Sequence, residues 1–183
     1  MFFNPKTSGD WVALGIIAAI VLVLGSNQLV RFPENQARSH AGHARAEMKA
    51  LEKNLNTMIE AGQQLPALQP LSDFIDAKAL TKSRGESLRT FGAGAHFAEH
   101  PDVFSPKGKA PFAAETSGTM YLVFASGPDY VYDIQPAVAQ TAFREKSALV
   151  LGALTYDPTN GSVSPGDIFM TNFTAASKGP NSK

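Results

Sequence analysis

The first long feature of the chain is an unbroken apolar run. WVALGIIAAIVLVLG, from Trp11 to Gly25, contains no polar side chain. SNQ follows, then Leu29 and Val30. From Trp11 to Val30 this makes 20 residues, or roughly 30 Å of helix, enough for the hydrocarbon core of a bilayer. Ile, Val and Leu occupy every face, so such a helix has no polar side to turn to water. The run predicts a transmembrane anchor over residues 11–30, preceded by a short tail, 1–10. Trp11, Leu14, Ile17, Val21 and Leu24 are the side chains expected to meet lipid or neighbouring helices. A cleaved secretory signal is the rival reading. It needs a small-x-small site just after the run, and Leu24-Gly25-Ser26 is a weak one, so a retained anchor is preferred.

Beyond the run the pattern becomes periodic. Arg31-Phe-Pro-Glu either kinks the helix at Pro33 or starts a new one there, with Pro33 in its first turn. From Glu34 to Gly62 the apolar or small residues are Ala37, Ala41, Ala44, Met48, Leu51, Leu55 and Met58, spaced 4, 3, 4, 3, 4, 3. That spacing predicts an amphipathic helix over 31–62. Gly62 and Pro66 mark its end. The stripe is small at its start and bulky at its finish. Met48, Leu51, Leu55 and Met58 are therefore expected to pack on a globular core. A coiled-coil dimer is the alternative for a heptad pattern.

Residues 63–119 show no clear period and read as a variable middle region with one or two short elements. Ser72 to Lys82 is a candidate short helix capped by Ser72. At Met120 the pattern changes to MYLVFAS, a buried strand, which Gly127-Pro128-Asp129 turns. Ala137 to Leu154 is ambiguous between helix and loop. TYDPTNGSVSPGDIFMT reads as strand, turn, strand, with Asn160-Gly161 as the two-residue hairpin signal and Asp157 bonding its own backbone. A small antiparallel sheet is thus expected over 120–174, followed by a polar tail, 175–183. The fold class is α+β, with the helix stripe on one face of the sheet.

Composition adds mainly exclusions. The 183 residues carry a formal net charge of +0 and no cysteine. No basic excess draws nucleic acid, and disulfides, thiolate metal sites and a cysteine nucleophile are excluded. Lys6 on one side of the apolar run, against Arg31, Arg38 and Arg45 on the other, places the body in the cytoplasm by charge count alone. The sequence has no G-x-S-x-G, P-loop, H-E-x-x-H or dinucleotide fingerprint. FGAGAH, from Phe91 to His96, lacks the Lys-Ser/Thr of a phosphate loop. His40 with His43, and His96 with His100, share helical spacings, but neither pair has an evident third ligand for zinc. The chain is not expected to be an enzyme.

Two motifs carry a resemblance. YLVFASGPDYVYDI, Tyr121 to Ile134, and TYDPTNGSVSPGDI, Thr155 to Ile168, resemble the strand-and-loop and C-terminal segments of the type IV pilin-like family, especially G-class pseudopilins of type II secretion. ARAEMKALEKNLNTMIEAGQQLP, Ala44 to Pro66, is similar to the end of their long helix. The resemblance implies a pilin-like structural or assembly subunit of a type II secretion or type IV pilus-related system, acting by helix packing. It would sit in the bacterial inner membrane as a single-pass protein with its C-terminal domain in the periplasm, opposite to the arginine count. Its partners would be membrane lipid and pilin-like subunits, itself included. Lys6 and Gly9 stand where such precursors carry a basic leader and its end. Asp10 and Leu14 replace the usual Phe or Met and the usual Glu, which leaves the helix without the carboxylate used in assembly. A monomeric anchored module that recruits an envelope partner is the alternative. In the G class a C-terminal loop binds calcium, so Asp129 and Asp133 are the candidate calcium ligands, with Asp157 or Asp167 in reach only if the strands fold back. Turn formation by Asp129 is the simpler reading of the same residues.

Overall fold

The computed structural model describes residues 8–82, 87–92, 99–105, 110–160 and 164–173, with side chains for all of these except 8–11, 13–14, 21–32, 81–82 and 160. One helix, α1, runs from Ser8 to Glu60 with Pro33 inside it. Of the two readings of Pro33, a proline within one helix is the one seen. The chain divides after Gln36 into two compact units. In the first, the large side chains of Val12, Ile16, Ile17 and Ile20 are all more than half exposed. Those of Trp11, Leu14, Val21 and Leu24 lie outside the described residues, as does much of the expected anchor. Among the described residues, no helix is long and apolar enough to cross a membrane.

The second unit, the head, begins at Ala37 and includes the whole stripe. Ala37, Ala41, Ala44, Met48, Leu51 and Leu55 are all buried, as their spacing predicts. Met58 is a correction. It is only half-buried, and Ile59 packs against the core instead. A straight helix repeats every 3.6 residues, and a seven-residue pattern drifts by about 20° per heptad relative to it. After three heptads the next inward position has moved from i+3 to i+4. The helix then ends in a hydrogen-bonded cap. Gln63 N–H donates to the Met58 carbonyl at 2.9 Å and Gly62 N–H to that of Ile59 at 3.0 Å. Gly62, at φ 69°, supplies the left-handed step this cap needs.

The sheet has five strands in sequence order, all antiparallel: β1 (Leu68–Pro70), β2 (Arg89–Phe91), β3 (Ala113–Ser117), β4 (Met120–Ala125) and β5 (Ile168–Thr171). Three of the five come from the region read as irregular, so the sheet is not confined to 120–174. β1 and β2 are too short to show alternation, and β1 contains a proline. β3 and β4 are joined through Gly118-Thr119, with Ser117 opposite Met120 and Gly118 at φ 61°, a tight hairpin that a glycine permits.

β4 explains its own continuous hydrophobicity. Tyr121, Val123 and Ala125 face the α1 stripe, whereas Leu122 and Phe124 face a second core. A strand covered on both faces has no polar side. The second core is closed by α3 (Pro136–Glu145) and the 3-10 turn Leu149–Leu154, the segment that was ambiguous in sequence. The result is helix, sheet, helix: three layers where two were expected. α2 (Ala77–Lys82) lies inside the stretch expected to be helical. Its start is fixed by Asp76, which accepts the Lys78 N–H at 3.2 Å, and not by Ser72. Tyr121 Oη donates to Asn56 Oδ1 at 3.0 Å and ties β4 to α1. Arg89 and Glu115 form a two-bond ion pair across β2 and β3, with the Glu115 side chain almost fully buried.

Candidate functional site

The two motifs that stood out in sequence meet in space. β4 ends at Ala125, and the chain turns through Gly127 (φ 70°) and Tyr130 (φ 59°). It then passes through α3 and returns to the same place at Pro165-Gly166-Asp167. Here glycine is a steric requirement. A Cβ on Gly127 would lie 2.5 Å from the Gly166 carbonyl oxygen, and one on Gly166 would lie 2.7 Å from the Tyr156 nitrogen. Three backbone segments are stacked with no space for a side chain between them. Thr155 bridges Asp167 in parallel. Asp167 N–H donates to the Leu154 carbonyl at 2.7 Å, and Tyr156 N–H donates to the Asp167 carbonyl at 3.0 Å.

The carboxylates complete the clasp. Asp133 Oδ2 accepts the Gly166 N–H at 2.8 Å. Asp167 Oδ2 accepts the Ile134 N–H at 2.7 Å. Each acid thus holds the other's loop. Asp129 Oδ1 accepts the Val131 N–H at 3.1 Å and fixes its own turn. Asp129 lies above the usual carboxylate range because of partial burial, and Asp133 adds like charge. Asp167 is fully buried, and its Oδ1 has no hydrogen-bond partner. Burial, with Asp133 and Asp129 nearby, pushes its pKa up to about 8, because an isolated buried charge is expensive.

The expected Asn160-Gly161 hairpin turn falls at the limit of the described residues, which stop at Asn160 and resume at Ser164. Pro158–Asn160 is a 3-10 turn, and Thr155 runs parallel to the later strand segment, whereas a hairpin is antiparallel. Gly161 lies outside the described residues. Asp157 behaves as expected. Its Oδ1 accepts both the Thr159 N–H at 2.8 Å and the Thr159 hydroxyl at 2.7 Å, and those bonds hold its pKa down.

A calcium site does not follow from this geometry. Calcium needs six to eight converging oxygens. One oxygen each of Asp129, Asp133 and Asp167 is instead turned onto a backbone amide. Among the described residues, no group of three or more His, Cys, Asp or Glu is placed to hold a metal ion. The carboxylates act as loop clamps, the simpler of the two readings. His43 and His100 both approach Glu47, and His40 stacks edge-on to Phe104. The His100–Glu47 and His40–Phe104 contacts fasten the 99–105 loop to α1. His96 lies outside the described residues.

A second buried acid was not anticipated. Asp102 is fully buried. Its Oδ1 accepts the Phe104 N–H at 2.8 Å, and its Oδ2 is 3.5 Å from the Tyr132 hydroxyl, which donates to it. Burial pushes its pKa up to about 7. In sequence it is one Asp among Pro, Val and Phe, and only the neighbouring apolar residues hint at burial. Both acids tie loops together through these hydrogen bonds. Compared with known proteins, the chain matches no family model, no curated protein and no solved structure.

Proposed function

We propose that the chain is a membrane-anchored, pilin-like structural or assembly subunit of a type II secretion or type IV pilus-related system. It has no enzymatic activity of its own, and its head lies in the periplasm. The observation that carries the proposal is the order of parts along one helix. α1 includes the apolar run at its start, and its later stripe packs on an antiparallel sheet whose loops carry the two motifs. The exposed Val12, Ile16, Ile17 and Ile20 support lipid or another apolar helix as the neighbour of the first unit. Leu14, in place of the usual Glu, supports weak self-assembly.

The test is fractionation of cells expressing the full-length chain, with mass measurement of the mature N-terminus and crosslinking in the membrane fraction. The expected result is an integral membrane protein that crosslinks to itself or to a second pilin-like subunit. Recovery in the soluble fraction without detergent would sink the proposal. So would an anchored protein that never crosslinks at any expression level.

A further inference from the structure

We infer that the outer edge of β5 and the slot beside it bind an extended peptide segment of a partner protein. The segment would pair antiparallel with β5 as a sixth strand and carry a carboxylate side chain at its end next to Arg45 and Lys49. This inference goes beyond the proposed function and depends on neither anchoring nor self-assembly.

The sheet has two edges, and they differ. β1 contains Pro70, which cannot donate to a further strand. β5 reads Ile-Phe-Met-Thr, with no proline and no charge, and is last in the strand order. An unguarded edge is a ready template for pairing. Beside it runs a slot of two adjoining cavities, of about 470 Å³ and about 410 Å³. The first has Met48 of α1 on one side and Ala148 and Phe173 on the other, with β5 between them. Met48 belongs to one core and Phe173 to the other. The slot therefore continues the sheet between its two covering layers, where an added strand would go.

Charge sets the polarity of the occupant. Phe169 and Met170 share the first cavity with Arg45, Lys49 and Glu52. Asn172 shares the second with Glu52 and Glu60. β5 and α1 thus run the same way along the slot, which is basic where it begins at Arg45 and Lys49 and acidic from Glu52 onward. Arg45 and Lys49 are exposed and have no ion-pair partner among the described residues. An antiparallel strand would end beside them, so its acidic residue belongs near its C-terminal end. The chain's own residues 174–183 contain Lys178 and Lys183 but no Asp, Glu or large apolar side chain, which is the wrong complement.

The experiment pans a phage-displayed random decapeptide library on the full-length chain in detergent micelles, with Arg45→Glu/Lys49→Glu as the counter-target. The expected outcome is enrichment of alternating apolar sequences with Asp or Glu near the C-terminal end. The leading sequence, made as a synthetic peptide, should slow deuterium uptake in residues 168–173. Its affinity should fall at least about tenfold on the charge-reversed variant and recover when its acid is changed to lysine. Arg45→Ala/Lys49→Ala, which introduces no repulsion, should show a smaller loss and guards against a folding artefact. Absence of enrichment over the counter-target overturns the inference, as does protection mapping elsewhere. If residues 168–173 are already protected and lose that protection on dilution, a second copy fills the slot. Protection at every dilution without peptide means the chain covers itself. Either result overturns the partner assignment.

Discussion

Replacing Asp102 by asparagine should stabilise the head at alkaline pH and do almost nothing in acid. The wild-type carboxyl titrates near 3.8 when unfolded and near about 7 when folded. Between those values the folded state holds a proton that the unfolded state has lost, so wild-type stability falls as pH rises and levels off above about pH 7. Three pKa units at roughly 1.4 kcal/mol each give about 4 kcal/mol at the plateau. The site is fully buried, so solvent screening takes little from that figure. Asparagine mimics the neutral acid. Its amide oxygen can accept the Phe104 N–H, and its NH2 can donate to the Tyr132 hydroxyl. At about 2–4 °C per kcal/mol for a domain of this size, the variant should melt about 10 °C higher than wild type at pH 8. The two should agree within about 2 °C near pH 4. Thermal unfolding of the full-length chain in a non-ionic detergent, followed by circular dichroism across this pH range, measures the difference. Asp167 titrates in both proteins, so its contribution cancels. A difference that does not change with pH, or a variant less stable at pH 8, would refute the burial argument.

Other outcomes follow from the same geometry. Gly127→Ala and Gly166→Ala each place a methyl group at or below 2.7 Å from backbone atoms and should each cost more than about 2 kcal/mol in urea unfolding. Leu55→Ala should cost about 2–5 kcal/mol, whereas Met58→Ala should cost under about 1 kcal/mol, and equal losses would contradict the drift of the helix stripe. Calcium at about 1 mM should leave the melting temperature within about 1 °C of that in chelator, since only a ligand that selects the folded state raises it.

The helix was the most legible part of the chain. Its inward residues from Ala37 to Leu55 could be read from spacing alone, because one face of a long helix repeats often enough to average out exceptions. The reading failed at Met58, where a seven-residue rule outlived its match to the real helical period. β4 was legible because a run buried on both faces needs no alternation. β1 and β2 were not, since three residues carry too little pattern and their pairing is decided by distant partners. The turn signals were read unevenly. Asn160, read as a hairpin turn with Gly161, ends a 3-10 turn, while Gly118-Thr119 forms a hairpin and drew no notice. The clasp was legible as two motifs but not as one site. That Asp133 would hold Gly166 and Asp167 would hold Ile134 depends on closing a long excursion through α3, which local sequence does not encode.

The consecutive order of the strands has a consequence for biosynthesis. The second, third and fourth can each dock on the strand before them as the chain is made. The fifth cannot, because α3 and its following turns must be laid down before Ile168 exists. Until then β4, the most apolar segment of the head, stands as a bare flank open to any neighbouring nascent chain. A ribosome that stalls or a message cut just short of this strand would release a sticky product, so completion of β5 is the step that makes the head safe to release.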